Sequence, residues 1–235
     1  MKKKGVLLGI AAILGLTRPA FCQTFELDIK GTGNSTWMLN SNISNAGSEQ
    51  NPDPGWGYNY GAGLTFYFSK IVGVGADLLI NQHAIRYDGT LPLNDTYESY
   101  VKLRTTDIPI MVKFLNSTGG FLELGGVYST VKTASYKFTG SISASSDVKN
   151  RFISPYYSVI FGMGTHFHLS KRLAITTGLR VIYSVTDIKG VDGLGRDLSD
   201  NLLYPSVYKT YAASHLLAGG LYLGMSYSIG KIKGN

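Results

Sequence analysis

The sequence predicts an all-β protein, an eight-stranded antiparallel up-and-down transmembrane β-barrel, and three observations support this. Eight stretches alternate apolar residues with small or polar ones, as strands with two different faces do. The bulky residues are apolar and the interleaved ones are glycine or polar, which is the reverse of a water-soluble barrel and typical of a barrel in lipid. The links are alternately short and long, which predicts three short periplasmic turns and four longer outer loops.

The strand predicted at 57–68 shows the alternation most clearly. Its interleaved residues are glycines, Asn59, Thr65 and Tyr67. Period-two alternation places the remaining residues on the opposite face, where they would contact hydrocarbon while the interleaved set lines the lumen. These outward residues are Tyr58, Tyr60, Ala62, Leu64, Phe66 and Phe68.

The other seven strands repeat this pattern. In chain order they are predicted at 24–33, 72–85, 100–114, 121–136, 152–168, 172–186 and 211–230. Each is long enough for a tilted membrane span, which needs about 9–11 residues. Pro109 lies inside the strand at 100–114. Because proline has no N–H to donate to a ladder, a bulge or a local break is expected there.

The links set the predicted orientation of the barrel. Short turns are predicted at 69–70, 116–119 and 170–171, and long links at about 38–56, 88–98, 138–151 and 187–210. Short turns of bacterial outer-membrane barrels face the periplasm, so both termini are expected there. Aromatic residues are predicted to form one girdle at each membrane interface. The girdle toward the long links comprises Trp56, Tyr58, Tyr128, Phe152, Tyr157, Tyr183 and Tyr211, and the girdle toward the short turns comprises Phe66, Phe68, Phe114, Phe121, Phe167 and Tyr227.

The first 22 residues predict a secretory signal peptide, followed by one outer-membrane β-barrel domain over 23–235. Three lysines precede an apolar run over 5–16, and small residues, Ala20 and Cys22, stand at −3 and −1 of a cleavage site before Gln23. A transmembrane anchor would need roughly 20 apolar residues. The alternative is a lipoprotein acylated on Cys22. The bulky Phe21 disfavours it, because the residue before an acylated cysteine is normally small, but the sequence leaves both fates of Cys22 open.

The charge of the chain is largely that of the predicted signal. Four of the 22 Lys and Arg lie in residues 1–22, which hold no acid, so the rest of the chain carries 18 basic against 15 acidic residues. This near balance argues against a nucleic-acid partner. The predicted mature chain has no cysteine, so hydrogen bonding and burial must hold it together without disulfides.

The predicted lumen is polar and filled. An eight-stranded barrel is just wide enough inside for side chains, and a charge buried there without a partner costs several kcal/mol. We therefore expect ion pairs, with Arg180 near Asp77 or Glu123, and this structural role is favoured over a proton or ion path. The inward polar residues are Glu26, Asp28, Lys30, Asp77, Lys113, Glu123, His166 and Arg180.

No catalytic residue, metal site or cofactor is predicted. His166 and His168 share a strand face, but no third ligand stands near them in sequence. A His-x-Ser pattern at His168 and Ser170 lies at a predicted periplasmic turn, away from the outer leaflet. Ser214 and His215 are adjacent on a strand and so point to opposite faces.

Three segments resemble the outer-membrane β-barrel family of Bacteroidetes often called PorT-like. They are Asp77-Leu78-Leu79, the segment IPIMVKF at 108–114, and the segment FLELGG at 121–126. The resemblance covers the whole predicted mature chain and implies the barrel fold. The name-giving member of the family is associated with the gliding and protein-secretion machinery of that phylum, so the resemblance also implies such an association for this chain.

The functional hypothesis is a non-enzymatic integral protein of the bacterial outer membrane. Expected partners are the membrane lipid, the barrel-assembly machinery during insertion, and another envelope or secretion-system protein. Two alternatives remain open from the sequence: an enzyme at the outer rim that modifies lipid A, and a soluble calycin-like barrel that carries a small ligand. The calycin-like fold would place the bulky apolar residues inside.

Overall fold

The computed structural model describes residues 24–91, 95–141, 143–204 and 206–230. The predicted signal segment 1–22, with Cys22, lies outside the described residues. The strands are β1 (Thr24–Leu39), β2 (Asn51–Asp53), β3 (Gly55–Tyr67), β4 (Val72–Leu91), β5 (Asp95–Leu115), β6 (Gly120–Thr139), β7 (Ala144–Asp147), β8 (Tyr156–His168), β9 (Leu173–Ser184) and β10 (His215–Gly230). A one-turn helix, α1 (Ser41–Ser44), and short 3₁₀ turns at Gly47–Glu49, Lys149–Arg151 and Asn201–Leu203 lie in the links.

The eight long strands close into an antiparallel barrel, which confirms the predicted fold class. Consecutive long strands pair with each other, and β1 pairs with β10 to complete the ring. The stagger of the barrel can be read by stepping from each residue to its paired neighbour around all eight strands. A path that starts at Glu26 of β1 returns to β1 at Thr36, ten residues further along. Such a stagger requires the strands to tilt against the barrel axis. The two short strands extend the sheet, β2 beside β4 and β7 beside β6.

The strands at the long-link end differ in length from the prediction. β4 and β5 pair as far as Leu91 opposite Asp95, so most of the link predicted at 88–98 is a two-stranded extension. Here Tyr87 and Tyr97 point inward and are buried, while the opposite face is polar. The lipid-facing alternation therefore stops before the strands do. β8 and β10 instead begin later than predicted, at Tyr156 and His215.

Pro109 interrupts one ladder without shifting its register. Between β4 and β5, pairing runs from Ala76 opposite Ile110 to Leu79 opposite Asp107 and omits the two positions between them. The local break was therefore predicted correctly, because the missing N–H removes a ladder bond. The register shift lies elsewhere, between Arg104 and Thr105 on β5, opposite β6.

The apolar set of each strand is exposed on the outside of the barrel. This belt of large exposed side chains includes Leu27, Ile29, Leu64, Val74, Leu78, Ile110, Leu124, Val159, Phe161, Leu179, Leu221 and Leu223. Such a belt on a closed barrel is the arrangement of a transmembrane barrel and the reverse of a calycin-like one. No helix within the described residues has the length and apolarity to cross a membrane.

Two of the predicted girdle residues lie inside the barrel. Phe121 is 6% exposed and its ring centroid lies 4.9 Å from that of His166. Phe152 is 7% exposed and belongs to the apolar core at the long-link end. Phe121 stands at an inward-facing position of β6, and Phe152 precedes β8, so nearness to the rim did not predict which way either ring points.

Candidate functional site in the lumen and cap

The alternation of the strands brings the eight predicted lumen residues together inside the barrel. Each is at most 8% exposed. Their strands are β1 for Glu26, Asp28 and Lys30, β4 for Asp77, β5 for Lys113, β6 for Glu123, β8 for His166 and β9 for Arg180. Most of them fill the half of the barrel nearer to the short turns, which we call the ionic lumen.

Lys30 and Asp77 begin the chain of ion pairs in the ionic lumen. The Nζ atom of Lys30 lies 2.9 Å from Oδ1 of Asp28 and 2.9 Å from Oδ1 of Asp77. Lys113 lies beside the same group, with Nζ 3.9 Å from Oδ2 of Asp28. One ammonium thus bridges two carboxylates from different strands, which ties β1 to β4 across the lumen.

Arg180 completes the chain on the opposite wall. Its Nε donates to Oε1 of Glu123 at 2.7 Å, and one terminal nitrogen donates to Oδ2 of Asp77 at 3.1 Å. The guanidinium carbon also lies 5.0 Å from the ring centroid of Tyr222. Arg180 therefore contacts both of the carboxylates that the sequence offered as alternatives. The second carboxylate oxygen of Glu123 has no hydrogen-bond partner within the described residues.

Two glycines leave space for these charged side chains. A Cβ atom on Gly63 would overlap Oδ1 of Asp77, and one on Gly162 would overlap Oε1 of Glu123. Both glycines stand on inward-facing positions of their strands. Any larger residue there would displace a carboxylate of the ion-pair chain.

Glu26 and His166 line what little space remains. His166 Nδ1 lies 3.0 Å from Oγ1 of Thr176. The residual cavity measures about 10 Å³ and is lined by Glu26, His166, Lys113 and Tyr222 among others. That volume is at the lower limit for one water molecule. The charged and aromatic side chains therefore leave little open volume in this part of the lumen.

The opposite half of the barrel has an apolar core beneath a folded link. Residues 185–204 and 206–214, which we call the cap, run across the mouth of the barrel at the long-link end. Apolar side chains of the cap pack onto inward residues of β1, β4, β5 and β6. The core includes Ile188, Val191, Leu198, Leu203 and Tyr208 from the cap, and Met38, Ile85, Tyr87, Val101, Leu103 and Tyr136 from the strands.

Hydrogen bonds at Asp192 and Gly193 anchor the cap. The Asp192 carboxylate accepts from Arg196 Nε at 2.6 Å and from the Tyr208 hydroxyl at 2.8 Å. The Gly193 carbonyl accepts from Ser99 Oγ at 2.7 Å and from the Tyr136 hydroxyl at 3.0 Å. Burial, with the charge of Asp192, raises the pKa of Tyr208 to about 12. The Tyr208 hydroxyl therefore stays protonated as a donor.

Two further carboxylates stabilise the edges of the cap. Asp187 accepts from the Tyr211 hydroxyl and, at 2.9 Å, from the N–H of Ser214. Burial opposes ionisation of Asp187, but these hydrogen bonds prevail and lower its pKa. The pKa of Asp197 is also lowered, because hydrogen bonds from Ser199 and Arg151 outweigh its burial.

The cap is the part of the site that the sequence prediction missed. Residues 187–210 were predicted as an outer loop, and their apolar residues have no regular period. The available signal lay in the strands: Ile85, Val101 and Leu103 are apolar on the face predicted to line a polar lumen. Apolar inward residues at one end of a barrel require an apolar group to cover them.

No catalytic arrangement appears among the candidate residues. His168 and Ser170 are both exposed at a short turn. His215 Nδ1 contacts the Ser184 carbonyl oxygen at 2.9 Å, while the Ser214 hydroxyl is 3.0 Å from Nδ2 of Asn40. In the described ranges no histidine hydrogen-bonds a serine hydroxyl, and no group of three or more His, Cys, Asp or Glu could hold a metal ion.

Comparison with protein families gives one match over most of the chain. The model described as "Outer membrane protein beta-barrel domain" matches residues 21–190. The comparison with curated proteins found no match.

Several solved structures are similar over nearly their whole length. The outer membrane protein OprG from Pseudomonas aeruginosa is 14% identical with a TM-score of 0.45, covering 90% of this chain and 98% of that chain. Ail, the attachment invasion locus protein of Yersinia pestis, solved with a heparin analogue, is 12% identical with a TM-score of 0.39, covering 87% and 99%. The outer membrane protease OmpT from Escherichia coli is 13% identical with a TM-score of 0.32, covering 90% and 99%. With TM-scores below 0.5, these likenesses do not bear on the function of this chain.

Proposed function

The chain belongs to the outer membrane protein β-barrel domain family and so is a protein of the bacterial outer membrane, and on that premise we propose that it is a non-conducting, non-enzymatic barrel that binds another envelope component. The observation that carries the proposal is the closure of the barrel at two levels. The ionic lumen leaves a cavity of about 10 Å³, and the cap covers the other mouth with an apolar core. Without a passage, the barrel acts through its surfaces.

The proposed orientation places the cap outside the cell. The short turns at 68–71, 116–119 and 169–172 then face the periplasm with both ends of the barrel strands. The polar character and length of the links at the opposite end support this orientation. The domain organisation is part of the proposal: a signal peptide over 1–22 is removed and 23–235 form the barrel, which the assembly machinery inserts.

The cap offers a surface for a partner. Leu202 is 80% exposed, and Val207 and Tyr211 are 47% and 49% exposed, all in a segment that lies beyond the lipid-facing belt. Apolar side chains exposed in the cap, outside the lipid-facing belt, are available for contact with a partner. In the version drawn from the PorT-like resemblance, the organism is a member of Bacteroidetes and the partner belongs to the secretion or gliding machinery.

The absence of a rim enzyme activity is also proposed. The serine and histidine candidates at both ends of the barrel have other partners or are solvated, as described above. Mass spectrometry of lipid A from cells with and without the protein would test this directly. An unchanged profile is expected, and loss or gain of an acyl or phosphate group would contradict the proposal.

Site-specific photo-crosslinking in intact cells tests the partner-binding proposal. A photoreactive residue at Leu202 is expected to give a discrete crosslinked band, because that side chain points away from the barrel on the cap. The matched control is Lys171, an exposed residue of a short turn at the other end of the barrel. A band from Lys171 with none from Leu202 would show that the partner binds from the periplasm. Absence of a discrete band from both positions would contradict partner binding.

A further inference from the structure

Three basic side chains form a compact group on the outside of the barrel, just beyond the lipid-facing belt. Lys102 and Arg104 lie on the outward face of β5, and Lys132 is the extra residue where the β5–β6 register shifts, beside Arg104. All three are exposed. We call them the basic patch. Lys102 and Arg104 are alternate residues with Cα atoms roughly 7 Å apart, and Lys132 adjoins Thr133, which pairs with Arg104 at roughly 5 Å.

The height of the basic patch matches the headgroup layer of a membrane. Ile108 is the last exposed apolar residue of β5 toward the cap. It pairs with Tyr128 on β6, which in turn pairs with Tyr157 on β8, and the two tyrosine rings are in contact. Aromatic rings of this kind mark the membrane interface. Arg104 stands four residues further, which is roughly 13 Å along a tilted strand and about 10 Å along the membrane normal. Long basic side chains also reach back toward the interface.

The charges of the basic patch are not neutralised by the protein. Within the described residues, none of the three side chains forms an ion pair. Arg104 donates from Nε to Oε1 of Gln82 at 3.2 Å, which orients the guanidinium and leaves its terminal nitrogens free of protein acceptors.

Acidic residues near the basic patch are already engaged. Glu98 and Asp53 both pair with Arg86, higher on the same face. Asp147 on β7 stands opposite Ser135, and its carboxylate accepts from the N–H of Lys149 at 2.9 Å. Because an N–H donor does not cancel the charge of Asp147, the three positive charges of the patch stand beside one negative charge, and the excess is positive.

The rest of the rim differs at this height. The outward residues of β1, β3, β9 and β10 there are aromatic or aliphatic, and they include Trp37, Trp56, Tyr58, Tyr183 and Leu217. At this height the outward faces of those four strands carry no Lys or Arg, whereas β5 and β6 carry the three residues of the basic patch. Nonspecific electrostatic attraction to anionic lipids would not require the basic residues to be grouped on two strands.

We propose that the basic patch binds the phosphate groups of a phosphorylated lipid in the outer leaflet, such as a phosphorylated glycolipid. Guanidinium and ammonium groups bind phosphate through charge-assisted hydrogen bonds, and Arg104 provides the planar two-nitrogen geometry. Because positive charges stand on two neighbouring strands, β5 and β6, the patch suits a headgroup with more than one phosphate. The inference rests on the proposed orientation, in which the cap faces outward.

The test is titration of the full-length barrel in detergent with lipid A carrying two phosphates, followed by native mass spectrometry. The triple variant K102Q/R104Q/K132Q is expected to bind it roughly a hundredfold more weakly at low salt. The matched control K70Q/K171Q/R172Q removes the same charge at the short turns and is expected to bind as the unaltered barrel does. The conservative variant K102R/K132R is expected to retain binding.

Two further arms identify the source of the phosphate. Dephosphorylated lipid A and inorganic pyrophosphate are both expected to bind at least tenfold more weakly than the phosphorylated lipid. Equal binding of dephosphorylated lipid, tight binding of pyrophosphate alone, or full binding by the K102Q/R104Q/K132Q variant would each overturn the proposal. Heat-modifiable migration on a gel shows that each variant is folded. Crosslinking at Leu202 is unaffected by these changes, so failure of the partner proposal and failure of this one are separable.

Discussion

The ionic lumen and the core beneath the cap lie in the same barrel and on the same inward-facing strand positions, yet they are stabilised differently. In the ionic lumen, five strands contribute charged side chains whose stability depends on every partner being present. Beneath the cap, apolar side chains from strands and link pack together and are stabilised by burial of apolar surface. The comparison teaches that a narrow barrel can be closed either by a chain of ion pairs or by a small globular core.

Arg180 should give the largest effect, because it is the cation shared by Asp77 and Glu123. R180A leaves two buried carboxylates with one partner fewer, and loss of one member of a buried ion pair costs about 3–5 kcal/mol. Urea unfolding in detergent micelles should show this loss of unfolding free energy. R172Q, an exposed arginine at a short turn, serves as the control and should change stability by less than about 0.5 kcal/mol. Equal effects of the two variants would remove the special role of the ionic lumen.

Leu198 tests the apolar side of the comparison. It is 1% exposed in the core beneath the cap, and L198A should cost about 2–5 kcal/mol of packing free energy. Because the lost contacts hold the cap, the first consequence should be faster protease cleavage within the cap, with the barrel still heat-modifiable. Loss of barrel folding together with the cap would show that the two halves are one cooperative unit.

Leu78 extends the comparison to the outer wall, where lipid replaces protein as the packing partner. L78D places a carboxylate in the exposed belt, at a cost of up to about 2 kcal/mol, and should reduce the membrane-inserted fraction. S145D, a change of similar kind on the exposed strand β7, should be harmless. Membrane fractionation of both variants is the measurement. Equal tolerance of both would contradict the assignment of the lipid face.

Acidic pH should produce the smallest effect, and we predict it here for the cap. Asp187 and Asp197 have folded-state pKa values lowered below 3.8, after hydrogen bonds outweigh burial. Their contribution to stability is therefore complete above pH 3.8 and is lost as the pH falls through the lowered values. Pepsin cleavage of the cap should rise several-fold below about pH 3.8. D187N/D197N should abolish this pH dependence, and a pH dependence that persists in that variant would assign it to other groups.

The sequence was most informative where one physical rule acts on every residue of a strand. Lipid outside and side chains inside give a period of two, so the outward set and the inward position of all eight polar lumen residues followed from this alternation alone. Of the four inward acids, Asp77 and Glu123 were predicted as alternative partners of Arg180, and the guanidinium contacts both.

The cap, the extension of β4 and β5 and two of the girdle residues were not predicted, because the contacts that form them do not recur at a regular spacing in the sequence. The cap residues Ile188, Val191 and Leu198 are irregularly spaced in the sequence. Their packing partners are the inward apolar side chains at the long-link ends of the strands. The hairpin extension of β4 and β5 was missed because its outward face is polar, which resembles a loop. Phe121 and Phe152 were placed in the girdles by proximity to the rims, although burial puts both inside.

Closure of the barrel is the central claim, and electrical recording tests it most directly. Full-length protein inserted in a planar lipid bilayer should show no steady large conductance, because the ionic lumen and the cap each block the path. A steady, porin-like current from correctly folded barrels would contradict the account, since it would require an open passage between Asp77 and Arg180.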